Sequence, residues 1–238
     1  VRPAARPLAA GTLALLFFCI FVGLGTWQVE RRTWKLELID RVERRVHSPP
    51  VGVPPRAEWP GIKAASHEYR HVQATGRFLP ASQTRVQALT DLGPGFWLLA
   101  ALSLDDGSIV LVNRGFIAAE PPQRTVSAHG LPAGRVTITG LLRMPEPRGT
   151  FLRRNDPKAD RWYSRDVEAI AAARGLDAVA PYFIDADAVQ GSGGAADAPV
   201  GGLTVIAFPN NHLIYAITWY TLALMIPAAL WFALRERE

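Results

Sequence analysis

Two stretches without one charged residue or histidine, one near each end of the chain, constrain this sequence more than anything between them. From Pro7 to Val29, and again from Leu213 to Leu234, aliphatic and aromatic residues dominate. Each stretch is about 22 residues long, enough at 1.5 Å per helical residue to cross a hydrocarbon core about 30 Å thick. Charges bracket the outer ends, with Arg2 and Arg6 ahead of the first and Arg235, Glu236, Arg237 and Glu238 after the second. The expectation is an N-terminal transmembrane helix in residues 1–29 and a C-terminal transmembrane helix with its tail in residues 210–238. A cleavable signal peptide is the alternative for the first stretch. It calls for a shorter apolar region and a small-residue cleavage site, whereas here the run passes through Gly25, Thr26 and Trp27 into a charged helical pattern, which fits an anchor better.

That pattern predicts a juxtamembrane helix over residues 30–48. Trp34, Leu38, Val42 and Val46 recur every four residues, the spacing of one helix face. Glu37 with Arg41 and Asp40 with Arg44 add acid-before-base pairs at the same spacing. Ser48, Pro49 and Pro50 end the helix, because proline cannot continue the hydrogen-bond ladder. Residues 49–190 then read as a β-rich domain. After a Pro-rich connector to Gly61, Val72, Ala74, Gly76 and Phe78 alternate with polar residues, the period of a half-buried strand. Phe96–Leu104 and Ile109–Val112 read as two buried strands around an Asp-Asp-Gly turn, and Val136–Leu142 and Tyr182–Asp185 as further strands. One helix is expected over RDVEAIAAAR, with its acids early, Arg174 late and Gly175 as its stop. Residues 191–209 begin with a Gly, Ala and Ser-rich run and are expected to form a flexible linker back to the membrane. The expected architecture is a membrane α+β protein, two transmembrane helices flanking an antiparallel β-rich domain, a small sheet or partial barrel, with one helix.

Composition and motifs speak against several functions. The formal net charge is +5, but the basic residues are scattered rather than massed, so phospholipid headgroups rather than nucleic acid are the expected counter-charge. Cys19, the only cysteine, rules out an intramolecular disulfide or a cysteine metal cluster. The run HEYRH, His67 to His71, matches the zinc protease pattern, which works on a helix. Here it leads straight into a strand, where residues four apart stand about 13 Å from each other. Asp156 and Asp160 beside Arg153, Arg154 and Arg161 read as a solvated loop, and Ser192 lies in the linker rather than in a strand-turn-helix context. No reaction is proposed by these residues, and the expectation is a protein that is not an enzyme.

His212 stands apart. It opens the second apolar stretch in NNHLIYAITWY, and Trp219 follows two helical turns later on roughly the same face. A neutral imidazole can ligate haem iron through one nitrogen while the other is held by a hydrogen bond. His, Asn, Tyr and Trp are equally at home as interfacial anchors, so both readings stay open at this point.

Five runs, LGTWQVERRTWKLELI (Leu24 to Ile39), EYRHVQATGRF (Glu68 to Phe78), VLVNRGFI (Val110 to Ile117), VTITGLLR (Val136 to Arg143) and NNHLIYAITWY (Asn210 to Tyr220), resemble the Surfeit locus protein 1 family of cytochrome c oxidase assembly factors. The resemblance implies a multi-pass inner-membrane protein of a bacterium or mitochondrion, with the β domain in the periplasm or intermembrane space. Basic residues counted alone place that domain in the cytoplasm, but long domains translocate regardless of such counts. It further implies a role in maturing the oxidase core subunit, with haem a as the transient cofactor, His212 as the candidate iron ligand and Trp219 as a neighbouring contact. Arg31 or Arg32 is the expected partner of the propionates, the planar guanidinium suiting a carboxylate. The partners so implied are the oxidase core subunit and membrane lipids, with a haem a synthase as a further candidate. A cofactor-free scaffold, or a persistent accessory subunit, is the competing expectation. Two departures from the family pattern stand out: Phe116 replaces a frequent Trp, and Pro209 a frequent basic residue.

Overall fold

The structure, a computed structural model, describes residues 5–119, 130–149, 153–188, 199–204 and 208–235. Two compact units divide the chain, Val1–Arg41 with Ile206–Glu238, and Val42–Val205.

The first unit is built on two helices, α1 (Ala5–His47) and α4 (His212–Arg235). Both are long and apolar enough to cross a membrane, and large side chains such as Leu13, Leu15, Leu224 and Met225 are exposed on them. Exposed apolar area of that extent suits hydrocarbon rather than water. On α1 the less exposed positions Phe18, Phe21, Gly25, Gln28, Arg32 and Lys35 advance by alternating threes and fours. On α4 His212, Ala216, Trp219, Ala223 and Ile226 do the same. This is the seam of a two-helix coiled coil. Small residues bring the backbones close, as expected where packing rather than water drives association: a Cβ on Gly25 would stand 2.8 Å from the Tyr220 ring.

α1 ends where the sequence says it should. Arg44, Arg45 and His47 fill its last turn, favourable against the negative end of the helix dipole. The Ser48 hydroxyl donates to the Arg44 carbonyl at 2.5 Å before Pro49 and Pro50 forbid a further turn.

The second unit is a seven-stranded sheet in the order β1 (Val51–Gly52), β2 (His71–Phe78), β6 (Arg135–Arg143), β7 (Val179–Ala186), β5 (Ile109–Ala118), β4 (Gly93–Leu104), β3 (Thr84–Thr90). Gly76–Phe78 of β2 also pair with Leu102–Leu104 of β4, so β2, β6, β7, β5 and β4 close into a barrel. Closure needs Gly76, where a Cβ would fall 2.1 Å from the Ser103 carbonyl oxygen. The pairings are antiparallel apart from β1 with β2 and β5 with β7. Inside, Val72, Ala100, Leu102, Val112, Tyr182 and Ile184 form one core. Outside, α3 (Val167–Ala173) covers Leu99, Ala101, Leu111 and Phe183 with Val167 and Ile170. Strands β4 and β5 are therefore buried on both faces, which is why they read as continuous apolar runs. Asp166 caps α3, its carboxylate accepting from the Ala169 N–H at 3.2 Å, and Gly175 follows at φ +62°.

The expected strands and helix have their counterparts here, with additions that include β1 within the Pro-rich connector. β3 was not foreseen, because its Leu89 is 83% exposed and breaks the alternation. A single helical turn, α2 (Ala64–His67), precedes β2. The HEYRH run is thus not all strand: His67 closes α2, Tyr69 turns the chain at φ +63°, and the strand begins at His71. Most of the expected linker from Gly191, Ser192 included, lies outside the described residues. Its far end is held, Val200 and Phe116 exchanging backbone hydrogen bonds at 2.9 Å.

Candidate functional site

In the two-helix unit the antiparallel seam sets Gln28 of α1 opposite His212 of α4, with Gln28 Oε1 2.7 Å from His212 Nδ1. An amide oxygen only accepts, so Nδ1 carries a proton and donates it, and in a neutral imidazole Nε2 is then the nitrogen that bears the lone pair. Among the described residues nothing hydrogen-bonds to Nε2. Deeper between the helices, Tyr220 Oη and Thr26 Oγ1 lie 3.1 Å apart, and Thr26 also donates to the Val22 carbonyl. These bonds pin the same register from a second point.

Trp219 shares the seam with His212, and its ring stacks on Phe21 with centroids 5.7 Å apart and planes tilted 29°. The pair makes a flat apolar wall below the imidazole. Arg31 holds its guanidinium 3.9 Å above the Trp34 ring, one turn along its own helix. Arg32 is half-buried in the seam register, and Lys35, one turn on, faces the Phe208 ring at 5.1 Å. His212, Trp219 and Arg32 thus fall on one seam, while Arg31 lies beside it. An imidazole fixed in the Nδ1–H tautomer, an aromatic wall and guanidinium forks make a donor set that fits a flat, iron-bearing, carboxylate-bearing molecule.

The β domain holds a separate polar cluster. Asp185, 3% exposed, accepts hydrogen bonds from Asn113, Arg143, Arg165 and Thr204 at 2.9 to 3.3 Å. Arg165 also clamps Glu146. Burial pushes the Glu146 carboxyl up, but Arg165 outweighs it and holds the group below the usual carboxylate range. The two histidines of HEYRH are tied to different partners. His67 Nδ1 accepts from the Lys63 N–H at 3.3 Å. His71 donates from Nδ1 to the Ser48 carbonyl at 2.9 Å and from Nε2 to Asp187 at 2.8 Å. Asp156 and Asp160 are likewise engaged, with Arg161 and Arg174.

The SURF1 family profile matches residues 15–224, most of the chain. This chain belongs to the SURF1 family. Similar proteins include Surfeit locus protein 1 of Rattus norvegicus, 33% identical over 239 aligned positions that cover 92% of this chain and 74% of that one. The Homo sapiens protein of the same name is 33% identical, covering 88% and 72%. A SURF1-like protein of Drosophila melanogaster is 32% identical, covering 90% and 73%. Membership places this SURF1 protein among membrane-bound assembly factors that act with components of cytochrome oxidase and are not enzymes.

Gln28 is the site residue that sequence reasoning missed. Its signal was a lone amide inside a charge-free stretch, in phase with Phe21 and Gly25, but its meaning depends on the partner that α4 brings to it.

Proposed function

We propose that this SURF1 protein binds haem a at the end of the two-helix unit where α4 begins, and aids its insertion into the core subunit of the oxidase. The observation that carries the reading is the Gln28–His212 hydrogen bond, which occupies Nδ1 and leaves Nε2 as the nitrogen a neutral imidazole offers to a metal. When bound, haem a would supply an iron that takes an imidazole ligand, carried on a broad apolar disc bearing two carboxylates. His212 would hold the iron, and Gln28 would keep the ring in the required tautomer and orientation. Trp219 and Phe21 give the disc an apolar neighbour, while Arg31 and Arg32 offer the carboxylates charge-assisted hydrogen bonds. The proposed setting is the inner membrane, with the β domain on the periplasmic or intermembrane-space side. Since carrier and recipient share that bilayer, hand-over takes the disc through no water. Haem a synthase is the corresponding donor.

Co-expression with haem a synthesis, purification in detergent and a reduced-minus-oxidised spectrum test this. The expected result is a haem a band in the wild type that His212→Ala removes. A wild type without colour would overturn it in favour of a cofactor-free scaffold. The tight Gly25–Tyr220 packing suits that second reading too, because there the Gln28–His212 bond serves helix pairing alone.

A further inference from the structure

The β domain carries a cavity of about 720 Å³ beside the open end of β3, within the size range of ligand sites. Its walls are mainly apolar, from Leu89, Leu92, Trp97 and Leu203 with Thr90, Asp91 and Thr204 between them, and its floor is formed by Arg143 and Arg165 over Asp185. Leu89 and Leu92 stand 83% and 57% exposed at the rim, a costly place for two leucines.

β3 ends the sheet, and its outer edge is only partly covered. The Gln87 N–H donates outward to the Trp162 carbonyl at 2.8 Å. Because backbone direction repeats every second residue, Leu89 also points its N–H and C=O outward. Its cross-strand partner makes the same point. Pro94 has no N–H, and its carbonyl accepts from Ala119, so β4 cannot satisfy Leu89. Among the described residues no backbone group does. Native sheets blunt such edges with charge, bulges or proline, and this one instead places leucines on it.

The cavity floor says what chemistry belongs there. Arg143 donates one hydrogen bond, to Asp185. Its Nε is buried beside Glu68 Oε1, 3.7 Å away, so the donors it has left for a ligand are the remaining N–H groups on its Nη atoms. Donors are therefore in surplus, yet positive charge is not, since Asp185, Glu146 and Glu68 already outnumber the two guanidinia. A neutral acceptor flanked by apolar groups answers both conditions, and a peptide carbonyl is that acceptor.

We infer that the Leu89 edge of β3 and the adjoining cavity form a docking site for an extended apolar peptide segment of a partner protein. The segment adds a strand at Leu89, sets one apolar side chain against Leu92 and Trp97, and presents a carbonyl to Arg143. Strand addition of this kind draws affinity from the backbone and selectivity from the pocket. The inference rests on the β domain alone and is independent of the haem reading.

The test uses the full chain in detergent, without haem, and a fluorescent, end-capped hexapeptide of alternating leucine and threonine, read by anisotropy. Saturable binding is expected. Leu89→Pro removes the outward N–H without touching the β3–β4 ladder, and Leu92→Asp charges the rim. Each should weaken binding at least about tenfold while leaving the thermal melt unchanged, and Leu92→Asp decides alone if Leu89→Pro alters the melt. Absence of saturable binding, or binding that Leu92→Asp leaves intact, overturns the inference. Decanoate binding without peptide binding also overturns it, making the cavity a fatty-acid site.

Discussion

Replacing Asp185 by Asn removes one charge from a buried cluster while keeping its shape. Asp185 is 3% exposed, and the side chains of Arg143 and Arg165 that bond to it are 14% and 12% exposed. The substitution leaves two guanidinia short of their shared counter-ion. Breaking a buried pair from one side costs about 3–5 kcal/mol, because the remaining charge is left uncompensated. Glu146 still neutralises part of Arg165, which argues for the lower half of that range. For a unit of this size each kcal/mol moves the melting point by about 2–4 °C, so a fall of about 6–15 °C is expected. The control is Glu146→Gln, whose side chain is 41% exposed. Water can replace much of what that carboxylate gives Arg165, and the cost should stay near 1 kcal/mol. Thermal melts of the full chain in detergent, followed by near-ultraviolet circular dichroism, compare the two. If Asp185→Asn melts within about 3 °C of the wild type, or no lower than Glu146→Gln, the cluster does not hold the domain together as argued.

Gln28→Leu should lower haem a occupancy about 10–100-fold while leaving the position of any residual band unchanged, measured on the purified co-expressed protein. Gly115 holds φ +129°, and a Cβ there would stand 2.4 Å from the Val200 carbonyl oxygen. Gly115→Ala should therefore cost about 1–3 kcal/mol and increase proteolytic cleavage near Val200, measured by limited proteolysis. Burial opposes the imidazolium of His71, but hydrogen bonds to Asp187 and Ser48 outweigh it and raise its pKa above the usual 6.5. The stability it contributes is complete below about pH 6.5 and is lost as pH rises through the raised value. Wild-type melts should fall over that interval by more than those of His71→Gln.

Much of the β domain could be read from alternation, and its exceptions are instructive. β2 shows its period plainly because one face meets the barrel core and the other meets water. β4 and β5 show continuous apolar runs because α3 covers the outer face of Leu99, Ala101 and Leu111. β3 escaped because Leu89 stands on the solvent side, where a sheet edge with a polar rim would have carried Thr or Lys. Alternation left a small sheet and a partial barrel both open, without showing what decides closure. Closure rests on Gly76, which reads as one more small residue in an alternating strand until Ser103 is seen against it.

The membrane site divides in the same way. His212 could be singled out because an ionisable group at the mouth of an apolar helix needs a partner. That partner could not be named, because Gln28 lies 184 positions away in sequence and nothing local ties the two. What joins them is register. Phe21 with Trp219 and Thr26 with Tyr220 are contacts of one antiparallel pair of helices, and either of them fixes Gln28 opposite His212. A slip of one turn, about 5.4 Å, would separate Oε1 from Nδ1 and free the imidazole to turn. The close packing at Gly25 therefore reaches the imidazole through geometry alone. Gly25→Leu, which forces the Tyr220 ring aside, should disturb His212 without touching it, and a shorter side chain in Tyr220→Ala should restore the register. If haem a occupancy falls in Gly25→Leu and returns in the double variant, helix register controls the ligand. If Gly25→Leu keeps wild-type occupancy, the Gln28–His212 bond is set by something nearer than the seam.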